Sequence, residues 1–310
     1  MSSQLKPFFI VNPCAGNGRT AKLWPKLASR LQLVFGSVPF AITQSRGHAT
    51  VLAQQALDKG YEMIVAVGGD GTIHEVANGF FHEGRLRQPN ACLGILSSGR
   101  GEDFIRTLGF PKRHADQIRV LKGRRIRKVD LGRFSYYNSE GIQCHRYFTN
   151  IADCGIVGEV LRWAARCPKF FGGTLTYVAG GLLSFFSYRN KTVALSIDDE
   201  PQKEEKICAI VVANGQYFGG GLRAAPMASV EDGLFDVLIV HDFKAWDFLK
   251  LLPKLLSRGG VHEAPKITYR TAHKLRIYSQ EQVLLDADGE SLGQLPATYE
   301  VVPRILPVKV

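Results

Sequence analysis

Three glycine-rich turns mark where this chain could hold phosphate. They are Asn12-Pro13-Cys14-Ala15-Gly16-Asn17-Gly18, Gly68-Gly69-Asp70-Gly71-Thr72 and Gly99-Arg100-Gly101-Glu102-Asp103, and each follows a short apolar run of strand type. Glycine lets a backbone approach a ligand closely, and N–H groups exposed at a helix start suit phosphate oxygens. Any one such turn can be a plain tight connection. None continues into Gly-Lys-Ser/Thr, and the first does not complete G-x-G-x-x-G. Three on one sheet edge, one of them carrying an aspartate, point to a nucleotide triphosphate or another polyphosphate.

The elements that must position these turns alternate over the first ~125 residues. Phe8–Val11 reads as a strand. Ala21, Leu23, Leu27, Leu31 and Val34 then repeat at helical spacing. Val38–Ile42 is a second strand candidate and 48–58 a second helix. Met63–Val67 is a third strand, and Ile73, Val76, Ala77 and Phe80 form the face of a helix after it. Leu93–Leu96 is a fourth strand, with a helix from about Asp103. Strand, glycine turn and helix in repetition predict a doubly wound parallel sheet, whose strand carboxyl ends are where ligands bind.

Beyond about residue 125 strand-like runs dominate, at 126–134, 145–151, 191–198, 206–213, 234–240, 273–278 and 282–286. They predict an antiparallel β domain, a sandwich or flattened barrel, interrupted by helices near 156–186 and 243–257. The expected division is therefore 1–125, with a possible return of 299–310, and 126–298.

The chain has 310 residues, 45% hydrophobic and 22% charged, which excludes a disordered or collagen-like protein. Its net charge of +11 favours anionic partners. The six cysteines form no C-x-x-C pair and no zinc pattern, and they read as reduced thiols in a cytoplasmic protein. No secretory leader is evident at the N-terminus. The uncharged stretch 170–188 is about long enough to span a bilayer, but its four glycines and several Ser and Thr suit a buried helix better.

At the glycine turns the sequence resembles the diacylglycerol kinase catalytic-domain family, the bacterial diacylglycerol kinase-like lipid kinases and sphingosine kinases. The residues that carry the resemblance are V-N-P-C-A-G-N-G at 11–18, V-G-G-D-G-T-I-H-E-V-A-N-G at 67–79 and G-x-G-x-D-F-x-R-T-L-G at 99–109. K-V-D-L-G at 128–132, A-N-G-Q-Y-F-G-G-G at 213–221, E-D-G-L-F-D-V at 231–237 and D-G-E at 288–290 follow in family order. G-G-D-G-T alone also resembles NAD kinases and phosphofructokinases. The resemblance implies an NAD kinase/phosphofructokinase-like α/β domain followed by a β-sandwich that receives the lipid.

It also implies roles. ATP would be held by Asn12, Gly16, Thr43, Gly68, Gly69, Asp70, Gly71, Thr72 and Glu75, with Arg100 and Asp103 in the third turn. Thr72 is expected to cap the helix that follows. Asp288 is the expected base for a lipid hydroxyl, with Glu290 beside it, and Asp288→Asn is expected to stop turnover while leaving folding nearly intact. Asp70, Asp103 and Asp130 match aspartates that organise Mg2+. A second, structural Mg2+ is expected at Ser229, Asp232 and Leu234. The plain alternative for Asp288-Gly289 is a β-turn.

Two departures from the family pattern matter. Gly-Thr-Gly-Asn-Asp is replaced by Gly99-Arg100-Gly101-Glu102-Asp103, and the leucine commonly preceding it by Ser98. Arg100 and Glu102 could pair with each other, Arg100 could contact a substrate phosphate, or the nucleotide or lipid preference could differ. All three readings stand at this point.

The expected partners are a lipid alcohol, such as diacylglycerol or a sphingoid base, and transiently an anionic membrane surface at the inner face. Residues 112–128 carry eight Lys/Arg and one acid, and 243–258 are strongly amphipathic. A homodimer is compatible with the sequence. No nucleic-acid module appears. The alternatives are a non-catalytic lipid- or nucleotide-binding relative and, more distantly, an NAD kinase.

Overall fold

The computed structural model describes residues 5–99, 101–138, 140–160, 184, 188–256 and 264–310. Arg100, Cys167 and most of the stretch 170–188 lie outside the described residues. The chain forms two compact units, Met1–Val129 with Arg304–Val310, and Asp130–Pro303.

The first unit is built on β1 (Pro7–Val11), α1 (Ala15–Phe35), β2 (Phe40–Ile42), α2 (His48–Asp58), β3 (Met63–Gly68) and α3 (Asp70–Gly79). A small hairpin, β4 (Phe81–His82) and β5 (Arg85–Leu86), leads to β6 (Cys92–Ser97), α4 (Asp103–Thr107) and α5 (His114–Lys122). β2, β1, β3 and β6 are neighbours in that order and all parallel. Val308, near the chain's end, adds in parallel beside Leu93. Every residue of β3 and β6 is buried, so these strands read as unbroken apolar runs, as a sheet covered on both faces requires. Phe9 and Val11 pack with Trp24, Leu27 and Leu31 of α1 and with Ile118 and Leu121 of α5. Ile10, between them in the strand, points to the opposite face, where α2 and α3 pack. Each such side chain, fully buried, contributes about 1.5–3 kcal/mol.

The second unit is β-rich: β7 (Ile126–Tyr137) from Asp130 onward, β8 (Gln143–Phe148), β9 (Ile151–Gly155), β10 (Lys191–Ile197), β11 (Lys203–Ala213), β12 (Tyr217–Phe218), β13 (Leu222–Arg223), β14 (Phe235–His241), α6 (Ala245–Leu256), β15 (Ile267–Ala272), β16 (Lys274–Tyr278), β17 (Leu284–Ala287) and β18 (Glu290–Lys309) as far as Pro303. Antiparallel pairing runs from β11 through β10 and β16 to β18, and back through β17 and β9 to β11. This flattened ring encloses a core of Phe148, Cys154, Val193, Leu195, Ile210, Val212, Phe235, Ile277, Leu285 and Tyr299.

Three expectations need correction. The run 145–151 is two strands broken at Thr149-Asn150, because the amides there turn toward another acceptor, described below. The strand expected from 299 begins at Glu290. Ile267–Ala272 is a strand that the sequence reading missed, since only Ile267, Tyr269 and Ala272 are apolar and the run lacks a clear alternation. Of the helix expected at 156–186, residues 156–160 are helical, and the rest lies outside the described residues apart from Ser184.

Candidate functional site

In the first unit β1, β3 and β6 end side by side, so the three glycine turns emerge at one edge of the sheet. Gly16, Asn17 and Gly18 take φ of 61°, 58° and 81°, three left-handed residues in succession before the right-handed turns of α1. Glycine adopts this backbone freely and asparagine tolerates it. A Cβ on Gly16 would stand 2.5 Å from the Ser98 carbonyl oxygen, and one on Gly99 2.6 Å from the Gly69 Cα. The first turn therefore packs on the third, and the third on the second, through positions that carry no side chain.

Polar bonds fix the same arrangement. Asn12 Nδ2 donates to Thr72 Oγ1 at 3.0 Å, and the Ser98 N–H donates to the Gly68 carbonyl at 2.8 Å. Asp70 Oδ1 accepts the Phe104 N–H at 3.1 Å, tying the second turn to the start of α4, where Asp103 is buried. Thr72 does not cap its helix. α3 starts two residues earlier, on the extended Gly69, and Thr72 instead packs over Gly68 and receives Asn12. Glu75 accepts the N–H groups of Gly47 and Ala49 at 2.9 and 3.0 Å, so its carboxylate holds the beginning of α2. Thr43 is half-buried after β2, and its N–H donates to Val11 O. Nothing stands within 4 Å of a Cβ on Gly71.

The departures find partners here. Ser98 hydrogen-bonds the Thr20 hydroxyl, both buried. Glu102, left-handed at φ 56°, accepts the Ser97 hydroxyl at 3.1 Å.

In the second unit Asp288 and Gly289 form the two-residue hairpin turn between β17 and β18, with φ of 49° and 82°. Asp-Gly suits such a turn because both central residues must be left-handed. The turn is also a polar anchor. Asp288 Oδ2 accepts the Thr149 N–H at 2.7 Å and the Thr149 hydroxyl at 2.8 Å; Oδ1 accepts the N–H groups of Asn150 and Ile151 at 2.9 and 3.0 Å. These bonds are the reason the chain breaks between β8 and β9. Glu290 is buried and accepts Arg146 Nη1 at 2.7 Å. Asp286 Oδ1 accepts the Gly289 N–H at 3.1 Å.

The network continues to Asp130. Asn214, fully buried, donates from Nδ2 to the carbonyls of Thr149 and Asp130 at 2.7 and 3.0 Å. Asp130 is itself fully buried, and its Oδ2 accepts the Gly233 N–H at 2.7 Å. Thr149, Asn214 and Arg146 were not singled out from sequence. Asn214 sits in A-N-G-Q-Y-F-G-G-G, which was noted as a motif without a residue role.

In the loop 229–234, Asp232 Oδ1 accepts the Leu234 N–H at 3.0 Å and Ser229 Oγ the Glu231 N–H at 3.3 Å. Burial, and then the nearby Asp232, push the Asp236 carboxyl up to about 7. Asp236 Oδ1 is buried with no hydrogen-bond partner among the described residues. A buried carboxylate oxygen without such a partner, near a second carboxylate, is the kind of oxygen donor a hard cation accepts. Among the described residues no three His, Cys, Asp or Glu side chains gather as a metal cluster.

Among the described residues no helix is long and apolar enough to cross a membrane. Cys92, Cys154 and Cys208 are buried free thiols, pushed by burial up to about 11, 12 and 12, and are unsuited to thiolate chemistry.

Residues 6–134 match the diacylglycerol kinase catalytic domain, and residues 151–310 match the YegS C-terminal NAD kinase beta sandwich-like domain. A diacylglycerol kinase of Staphylococcus carnosus is 29% identical over 290 residues, covering 94% of this chain and 90% of the relative. A crystal structure of a diacylglycerol kinase from Bacillus anthracis superposes with a TM-score of 0.72 at 22% identity, over 100% of this chain and 98% of that one. Yeast NADH kinase, complexed with NADH, shares the fold at a TM-score of 0.52 and 11% identity, over 99% of this chain and 83% of that one.

Proposed function

The chain belongs to the diacylglycerol kinase family, and we propose that it is a lipid kinase that transfers the γ-phosphoryl group of ATP to the hydroxyl of diacylglycerol or a related lipid alcohol, with Mg2+. The observation that supports this most directly is the packing of three glycine turns at one sheet edge of the first unit, joined through Gly16, Gly69 and Gly99. Their N–H groups suit phosphate oxygens, and phosphoryl transfer depends mainly on such positioning.

In this reading Asn12, Gly16, Thr43 and Gly68–Thr72 hold the nucleotide, and Glu75 secures the helix behind it. Asp288 orients the lipid hydroxyl and takes its proton as that oxygen bonds to phosphorus and the bond to the ADP oxygen breaks. Glu290, paired with Arg146, braces the strand that carries the turn. Asp70 and Asp103 in the first unit are the carboxylates proposed to order Mg2+ and its water, while Asp130, in the second, is buried and held by the Gly233 N–H. Asp232 and Asp236, with carbonyls of Ser229 and Leu234, would hold the structural ion. Bound Mg2+ supplies neutralisation of the phosphate oxygens.

A lipid substrate must be met at a membrane. In the first unit the basic stretch 112–128, and in the second the exposed Trp246 on the amphipathic α6, support contact with anionic lipid at the inner membrane face.

One observation favours a second reading, a binding relative without turnover. The Asp288 carboxylate already accepts four hydrogen bonds, which matches its lone-pair capacity. Incubation with γ-labelled ATP, Mg2+ and a panel of diacylglycerol, monoacylglycerol, ceramide and a sphingoid base separates the two. Label in a lipid product of the expected mass supports the kinase. Absence of label in every lipid overturns it in favour of the binder.

A further inference from the structure

Asp153 of β9 and Asp286 of β17 are directly opposite each other in antiparallel register. Val211 of β11 continues the row on one side and Ser291 of β18 on the other. Residues opposed in this way share a sheet face, with Cβ atoms about 4.5–5.5 Å apart. Both aspartates are buried, 4% and 3% exposed. Asp153 Oδ1 has no hydrogen-bond partner among the described residues. Two ionised carboxylates side by side in apolar surroundings repel strongly, and the arrangement is stable when one of them keeps its proton.

We propose that Asp153 and Asp286 hold one proton between them, as an acid–carboxylate pair, and that this pair positions the Asp288-Gly289 turn through the hydrogen bond from the Gly289 N–H to Asp286. Loss of the shared proton sets two charges against each other and draws Asp286 off that amide. The turn that presents Asp288 then loses its brace. The consequence for turnover rests on the lipid kinase reading; the proton itself does not.

The surroundings are consistent with the pair titrating on its own. Burial first, and Asp286 second, push the Asp153 carboxyl well above the usual carboxylate range. On the same side of the sheet, Cys208 and Tyr188 belong to the packing cluster that includes Ile151 and Val211, and Glu159 lies in the helical segment after β9. Cys154 and Tyr299 belong to the core on the other face. Glu290, with its partner Arg146, lies opposite Ala287 of that same core. Burial raises both tyrosines and both thiols, so they stay neutral through the neutral range. Asp288 is at the adjoining turn, bound by residues 149–151.

The test compares the full chain with Asp153→Asn and Asp286→Asn, each of which replaces an acid by an amide of the same shape. Urea unfolding is measured from pH 5 to 9. A folded state that keeps a proton the unfolded chain has released loses stability as pH rises, until the pair itself titrates. Relative to either variant, the wild-type folding constant is expected to fall tenfold per pH unit over that window. The Gly289 amide resonance should move with pH in the wild type over the same range and stay fixed in Asp153→Asn. In the lipid assay the alkaline decline in kcat should be relieved in Asp153→Asn, with KM for ATP unchanged. Stability curves that run parallel in all three proteins overturn the shared proton. A Gly289 resonance that does not follow the pair overturns the positioning role. Wild-type protein that phosphorylates no lipid, yet shows the proton slope and the moving resonance, refutes the kinase reading and leaves the acid–carboxylate brace standing.

Discussion

Gly69 and Gly99 are in backbone contact: a Cβ on Gly99 would lie 2.6 Å from the Cα of Gly69. Neither φ is left-handed, so the requirement for glycine is one of space. Because the obstructing atom is backbone, Gly99→Ala must push two turns apart, at a cost of about 1–3 kcal/mol. We expect reduced stability in urea and loss of the thermal shift that ATP gives the wild type. Gly71→Ala is the contrast. Its Cβ meets nothing within 4 Å, so stability should hold or rise slightly, while a methyl group at the proposed phosphate turn weakens the ATP shift. Equal behaviour of the two variants would refute the packing argument.

Asp288→Asn separates anchoring from chemistry. Asn-Gly is an excellent two-residue hairpin turn, so the backbone should not suffer. The side chain does, because one carboxylate oxygen becomes an NH2 group facing two donors from Thr149 or from Asn150 and Ile151. The expectation that folding stays nearly intact is therefore revised to a loss of about 1–3 kcal/mol, together with loss of lipid phosphorylation. Thr149→Val removes only the hydroxyl bond and should cost about 1 kcal/mol with turnover retained. Urea midpoints and the lipid assay check both.

The parallel sheet was legible because β3 and β6 are unbroken apolar runs ended by glycine turns, a pattern in which local and tertiary preferences agree. The ring of the second unit was legible as strands but not as connections, since pairing partners such as β9 and β17 are far apart in sequence. Residues 149–151 illustrate the limit. Nothing in Thr-Asn-Ile announces that three successive amides face one carboxylate 137 to 139 positions away. Asp153 was invisible for the same reason. Its meaning comes from Asp286 opposite it, and register is set by the fold rather than by either strand alone.

The Arg146–Glu290 pair should respond asymmetrically. The Glu290 side chain is 8% exposed and that of Arg146 34%. Arg146→Met takes the cation from a buried carboxylate and should cost about 1–3 kcal/mol. Glu290→Gln leaves an arginine that water can reach, and should cost less. The double variant should be more stable than the sum of the two losses predicts, and a double-mutant cycle in urea measures that coupling. Strict additivity would mean that the contact contributes nothing.

Glu300 gives a pH-dependent prediction of defined sign. Its carboxylate is held below the usual range by Lys274 first and Arg133 second, and Lys274 is directly opposite it on β16. In the window between the two states' titrations the unfolded chain binds more protons, so stability rises with pH there. The contribution is complete above the ordinary glutamate value of about 4.3 and is lost as pH falls through the depressed folded value. Because all three side chains are partly exposed, solvent screens the cluster, and it is worth about 0.5–1 kcal/mol. Glu300→Gln should therefore be less stable than wild type by that amount at pH 7, with the difference shrinking as pH falls below the ordinary glutamate range. The same comparison in high salt should shrink the pH 7 difference, since exposed ion pairs are screened. A difference that persists undiminished at low pH would assign the loss to packing of the side chain instead of to its charge.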